Sequence, residues 1–240
     1  MATQSTIQAP HVVSREQWIA ERRALLGREK ELTHLTDEVS RQRRALPWVR
    51  LEKAYTFHGP DGDVSLADLF QGRSQLIVYH FMYGPDMKEA CPSCSLVADH
   101  FDATLPHLGA RDVAFAVVSR APYPKLEAFK RRMGWRFPWV SSSDTDFNFA
   151  FGVSSTEQQR EPGLQLYNFG TGAFLLPERE GASVFARQDG ELFHTYSTYG
   201  RGVEALMGTY NYLDLVPKGR DEDGLDFPMA WVRFHDRYQD

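Results

Sequence analysis

Cysteine is nearly absent: the 240-residue chain has two, Cys91 and Cys94, three positions apart. A pair so close cannot staple distant parts of a fold, which excludes the disulfide-scaffolded class of small secreted domains. Long hydrophobic runs are missing too, and none approaches the roughly 18 apolar residues of a membrane span. The opening segment MATQSTIQAPHVV lacks a basic stretch followed by a long apolar core, so a cytoplasmic location is expected. Positive charge is not in excess. A net charge of -5 gives no broad electropositive field, so neither nucleic acid nor membrane is expected as a partner. Internal repeats and low-complexity tracts are also lacking. What remains, with 42% hydrophobic and 25% charged residues, is an ordinary globular composition in a chain long enough to bury a substantial core.

Residues 1–48 read as an N-terminal helical arm. Ser14-Arg15-Glu16-Gln17 has capping-box spacing, so a helix should start there. Trp18, Leu25, Leu32, Val39 and Leu46 recur every seven residues, with Ile19, Leu26 and Leu35 beside them, until Pro47 stops the pattern. Such a narrow seam either lies on its own domain or forms a homodimer contact. Gly27 and poor companion positions weaken the heptad, which favours the first reading. The basic run Arg41-Gln42-Arg43-Arg44 reads as a solvated face.

Residues 49–216 read as an α/β domain, a mixed sheet flanked by helices. Two short strands surround the Gly/Pro turn in 55–64, and the apolar run LIVYHF within 75–81 suits a buried central strand. Cys94, Val97, Ala98, Phe101, Leu105 and Leu108 predict a helix over 91–108 whose last turn Pro106 kinks or shortens. VAFAVVS at 113–119 is a second apolar strand, and the resulting βαβ unit requires parallel strands. A helix over 122–133, a short strand ending near Val140 and a helical turn at 147–152 follow. Residues 154–182 read as an insertion. Beyond it, a hairpin over 183–187 and 192–196 turns at Asp189-Gly190. Val203, Leu206, Met207, Tyr210 and Leu213 predict a closing helix, and 217–240 form a C-terminal tail.

The chemistry-bearing motif is Cys91-Pro92-Ser93-Cys94 at a strand-to-helix junction. A cysteine among unpaired helix N-terminal amides is held as thiolate, and one placed a turn further on can close a disulfide with it. Cys91 is thus the expected nucleophile and Cys94 the resolving thiol. Pro92 suits the first turn because no amide hydrogen is needed there, and Ser93 completes the motif. Lys88 favours a Cys91 thiolate, while Glu89 opposes it. Two blander readings stand beside this one. Both cysteines can serve as small core residues, or they can contribute to a metal site. A structural zinc needs four ligands and no second Cys-x-x-Cys exists, so neither metal nor organic cofactor is expected. His80, at the end of the first strand with Tyr79, reads as a satisfied core histidine before a proton-transfer group, and His194 likewise. Arg120 follows the second strand, where carboxyl ends of parallel strands gather, and either contacts a substrate or thiolate or makes a surface ion pair.

These residues resemble the thioredoxin-like superfamily. DGDVSLADLF followed by LIVYHF and the cysteine motif looks like the peroxiredoxin branch, as does the path from Gly134-Trp135-Arg136-Phe137-Pro138 to Phe151-Gly152-Val153. More closely, CPSC, SRAP, KRRMGWRFPWVSS, HTYSTY and KGRDEDG together resemble a bacterial family catalogued as a domain of unknown function and classed as thioredoxin-like, over about Arg28 to Tyr238. Two departures are visible. Lys88 stands where peroxiredoxins carry threonine, and Gly181-Ala182 precede Ser183 where thioredoxins carry a cis-proline. The resemblance implies a thiol-disulfide oxidoreductase that acts through Cys91 and Cys94 on a disulfide or peroxide and draws on a cellular thiol reductant. Alternatives are a thiol peroxidase with the same residues, a metal chaperone using both cysteines and a nearby histidine, and a redox-sensing binding protein.

Overall fold

The capping box forms in the computed structural model, which describes residues 11–238: Ser14 Oγ accepts from the Gln17 amide at 3.2 Å, and the Gln17 side chain accepts from the Ser14 amide at 3.0 Å. Helix α1 (Arg15–Arg44) follows and ends ahead of Pro47. The expectation that its seam lies on its own domain is overturned. No residue of α1 is buried, and Trp18, Leu25 and Leu32 are exposed, Leu32 at 64%. The reason is the tether: α1 joins the body through β1 (Val49–Arg50), a two-residue strand paired to the outer edge of the sheet. Caps and close charge pairs such as Arg28–Glu31 at 2.6 Å support the helix instead of tertiary packing.

In the body, β2 (Thr56–Gly59) and β3 (Gly62–Ser65) form a hairpin that needs Gly59, because a Cβ there would lie 2.7 Å from Val64. The succession then runs β4 (Gln75–His80), α2 (Pro92–Ala98), α3 (Leu105–Gly109), β5 (Val113–Ser119), α4 (Tyr123–Arg132), β6 (Trp139–Ser141) and α5 (Phe147–Ala150). After the insertion come β7 (Gly181–Gln188), β8 (Glu191–Tyr199) and α6 (Thr209–Leu213). The eight-stranded sheet has the order β1-β8-β7-β4-β5-β6-β2-β3. Strands β4, β5 and β6 are parallel, as the βαβ pattern requires, and β7 joins β4 antiparallel.

Two predicted helices are broken. The 91–108 segment divides into α2 and α3 because its middle is occupied elsewhere. Asp99 accepts from Trp135 Nε1 at 2.7 Å, and Asp102 accepts from the amides of Arg136 and Phe137 at 2.8 Å. Pro106 therefore opens α3 and does not kink a longer helix. The closing helix is a 3-10 stretch, Gly200–Leu206, then α6 beyond Gly208.

Alternation along β4 divides the core. Tyr79 and Phe81 face one side, packed with Cys94, Val97, Phe101, Phe129 and Trp139. Leu76 and Val78 face the other, packed with Phe57, Phe147, Phe151 and Phe185. The C-terminal tail is anchored to the first side: Phe234 is buried 5.3 Å from Phe129, Arg132 binds Asp236 through both nitrogens at 2.8 Å, and His235 reaches Asp99 at 2.7 Å. The insertion is folded back by isolated bridges Ser154–Glu178 and Tyr167–Gly172. Its tip passes through three left-handed residues, Asn168, Phe169 and Gly170, at φ 49, 59 and 78°.

Candidate functional site

The site begins where β4 ends. Past Phe81 the chain leaves the sheet, and it returns when the Cys91 amide donates to the Met82 carbonyl at 3.2 Å. Lys125 holds the intervening loop, donating to the carbonyls of Pro85 and Met87 while its ammonium lies 4.8 Å over the Tyr83 ring. Gly84 lets the loop pass close to Glu178, since a Cβ there would stand 3.1 Å from that side chain and push it aside. Cys91 is then the N-cap of α2. Extended backbone at Cys91, with Pro92 as the first helical residue, turns its thiol back over the helix start.

Cys91 Sγ accepts the Cys94 amide at 3.4 Å. Its pKa is lowered, first by a hydrogen bond from the Cys94 thiol and then by the amides of Cys94 and Ser93, against burial and the charge of Glu180. Cys94 moves the other way. It is 2% exposed, and burial, together with its hydrogen bond to Cys91, raises its pKa well above the ordinary thiol value. The two thiols are thus displaced in opposite directions: ionisation is favoured at Cys91, which is partly open to solvent, and disfavoured at buried Cys94. Ser95, fully buried, donates its hydroxyl to the Cys91 carbonyl at 2.9 Å and fixes the cap from beneath.

Tyr79 completes the site from the sheet. Edge contacts to Phe81 and Phe101, with centroids 6.3 and 5.1 Å away, lock its ring. Its hydroxyl is fully buried and faces Cys94 closely enough for that thiol to oppose its ionisation, yet it makes no hydrogen bond of ordinary geometry. Burial is the first cause of the high Tyr79 pKa, so the hydroxyl keeps its proton.

Of the other residues singled out in the sequence, Pro92 and Ser93 lie in the α2 turn with the thiols, and Ser93 contributes its amide. His80 does not join them. It points to the opposite face of the sheet, where it is fully buried, bonds Ser183 Oγ at 2.8 Å and stacks on Phe151. Arg120 is also held away from the thiols. Its guanidinium pairs with Glu178 at 2.7 Å and covers the Phe149 ring at 4.5 Å, and both partners are largely buried, so this is no surface ion pair. Lys88 is exposed, and Glu89 is paired with Arg237 of the tail. Sequence reading missed the roles of Ser95 and Glu180. Ser95 had a local signal, a hydroxyl four residues after an N-cap. Glu180 had none, since only the pairing of β7 with β4 brings it near Cys91. Among the described residues, no three of His, Cys, Asp or Glu gather where they could hold a metal ion, and no helix is long and apolar enough to cross a membrane.

A mixed sheet flanked by helices, with a dithiol at the junction between a central parallel strand and a helix, defines a thioredoxin-like α/β protein. The chain belongs to the family described as bacterial protein of unknown function (DUF899), whose profile matches residues 7–238. No curated protein matches it. Solved structures with similarity include a PrxQ mutant of Xylella fastidiosa at 16% identity and TM-score 0.45, covering 69% of this chain and 94% of that one. A peroxiredoxin Q mutant of Xanthomonas campestris has 18% identity and TM-score 0.45, over 65% of this chain and 90% of its own. Peroxidoxin BcpB of Mycobacterium tuberculosis has 16% identity and TM-score 0.44, over 67% and 94%.

Proposed function

We propose that this protein is a thiol-disulfide oxidoreductase in which Cys91 attacks and Cys94 resolves. The observation that carries the reading is the placement of the two thiols. Cys91, partly open to solvent, is the N-cap of α2 and accepts the Cys94 amide at 3.4 Å, while Cys94 lies in the core, which lowers the pKa of the first and raises that of the second. The Cys91 thiolate attacks a substrate disulfide, forming a mixed disulfide and expelling one substrate thiolate, which takes a proton from solvent. Cys94 then loses its proton and attacks Cys91 Sγ. The Cys91–Cys94 disulfide forms, the second substrate sulfur leaves as a thiolate and takes up the proton that Cys94 released, and two electrons have passed to the substrate. A cellular thiol reductant returns them. Buried Cys94 is costly to ionise, and Tyr79, a fixed donor without an acceptor in the dithiol state, supports this step by donating to the Cys94 thiolate as it forms.

The test uses purified protein and 5,5′-dithiobis(2-nitrobenzoate). Wild type should release both thionitrobenzoate anions and end with an internal disulfide, read as a two-hydrogen mass loss. Cys94→Ser should keep one thionitrobenzoate bound on Cys91. Equal adducts on Cys94→Ser and Cys91→Ser would overturn the assigned roles, and a folded wild type that resists the reagent would overturn the redox reading.

A further inference from the structure

On the face of the sheet away from the cysteines, a polar chain crosses three strands. His80 Nε2 meets Ser183 Oγ at 2.8 Å, Ser183 meets Ser197 Oγ at 2.9 Å, and Ser197 meets His194 Nε2 at 2.7 Å. His194 Nε2 also lies 3.0 Å from the Tyr196 carbonyl, which can only accept, so this nitrogen carries the hydrogen. Nδ1 of His194 is therefore a lone-pair acceptor, and no side chain or backbone group among the described residues bonds to it. Burial lowers the His194 pKa and keeps the ring neutral.

His194 lines a cavity of about 300 Å³ between β8, the end of α5 and the tip of the insertion. The other walls are Ala150, Phe151, Gly152, Leu166, Asn168, Phe169 and Tyr199, and no lining residue carries a formal charge. The Tyr199 hydroxyl spends its hydrogen on the Phe151 carbonyl at 2.8 Å, and His194 contributes a ring nitrogen that can accept, beside the Asn168 side-chain amide. Phe169 is the unusual wall. It holds a left-handed backbone, φ 59°, which a bulky residue rarely adopts, and leaves its ring 73% exposed, 5.3 Å from Tyr199. The exposed ring offers aromatic surface that a flat ligand would cover.

We infer that this cavity binds a small, neutral, planar ring compound of one or two rings whose hydroxyl or N–H donates to His194 Nδ1. Uncharged walls select against carboxylates and amines, the aromatic lining of Phe151, Phe169 and Tyr199 selects for a flat body, and the volume sits at the lower end of the range for small-molecule pockets. The site is independent of the dithiol chemistry.

The probe is 2-naphthol, followed by its fluorescence on titration with the full-length protein. Saturable one-to-one binding is expected, with naphthalene, which lacks the donor, up to about tenfold weaker. Phe169→Gly relieves the backbone and leaves the fold intact, so its melting temperature should hold or rise while 2-naphthol affinity falls severalfold. Replacing both cysteines with serine should leave the titration unchanged. Absence of saturable binding, equal affinity for naphthalene, unchanged affinity in Phe169→Gly, or loss of affinity in the double serine variant would each overturn the assignment.

Discussion

Tyr79 and His80 are neighbours in one strand, both fully buried, and they face opposite sides of the same sheet. On Tyr79's side a hydroxyl waits beside sulfur with no acceptor, and the thiols it faces have pKa values pushed apart. On His80's side the imidazole is held neutral, its pKa driven to about 3 by burial and by nearby His194, and a hydroxyl chain satisfies its Nε2. Equal burial thus has opposite results. One face favours ionisation of Cys91, and the other drives ionisation of His80 far down the pH scale.

The sharpest break in this comparison comes from Cys91→Ser, which should abolish exchange with 5,5′-dithiobis(2-nitrobenzoate), whereas His80→Gln should leave the rate per folded molecule unchanged. A parallel loss in His80→Gln, measured by stopped flow, would show that the two faces communicate. Next in size is the acid limb of stability. With the His80 pKa lowered on folding, the unfolded chain binds more protons between about pH 6.5 and 3, so stability is fully present above that window and lost as pH falls through it. His194, also lowered, adds in the same direction. Denaturant midpoints of His80→Gln should fall less steeply across this range than those of wild type.

Tyr79→Phe should act on the cysteine face alone. Resolution of the mixed disulfide should slow severalfold, while the reduced protein gains roughly 1 kcal/mol because a buried unsatisfied hydroxyl is gone. Unchanged resolution by quenched-flow mass spectrometry would remove Tyr79 from the chemistry. A smaller effect of opposite sign belongs to exposed His58, whose pKa is raised by hydrogen bonds to Asp144 and Asp63. Its contribution is present below about pH 6.5 and disappears as pH rises through the raised value, so His58→Gln should lose stability only on the acid side. Smallest is Leu32→Glu. At 64% exposure among the described residues, it should shift stability by no more than about 0.5 kcal/mol. A large drop in melting temperature or oligomer size would reveal that the seam is covered by another copy.

The periodicities that survive in the fold are those that tertiary contacts leave alone. LIVYHF and VAFAVVS became adjacent parallel strands because an apolar run buried on both faces has little alternative. The Asp189-Gly190 turn gave its hairpin for a similarly local reason: both residues take positive φ. Helical spacing over 91–108 was real but insufficient, since the carboxylates of Asp99 and Asp102 are claimed by the 135–137 loop, a partner invisible in a local window. In the candidate site, Cys91, Pro92, Ser93 and Cys94 could be read directly from their spacing. His80 is the core histidine that its strand position suggests, and the two-residue alternation that sends it away from Tyr79 keeps it from the thiols. Arg120 was placed at the correct end of its strand, but Glu178, its partner, lies in the stretch whose pattern said least.

The tail that reaches back from Val232 to Arg237 bears on how the protein is made. Phe234 fills the core beside Phe129, His235 holds the aspartate that caps the cysteine helix, and Arg237 pairs with Glu89, two residues before Cys91. During synthesis the cysteines leave the ribosome well over a hundred residues before these contacts can form. The nascent chain therefore carries its thiols without the tail's contacts for much of translation, held by the earlier ones from Met82 and Lys125.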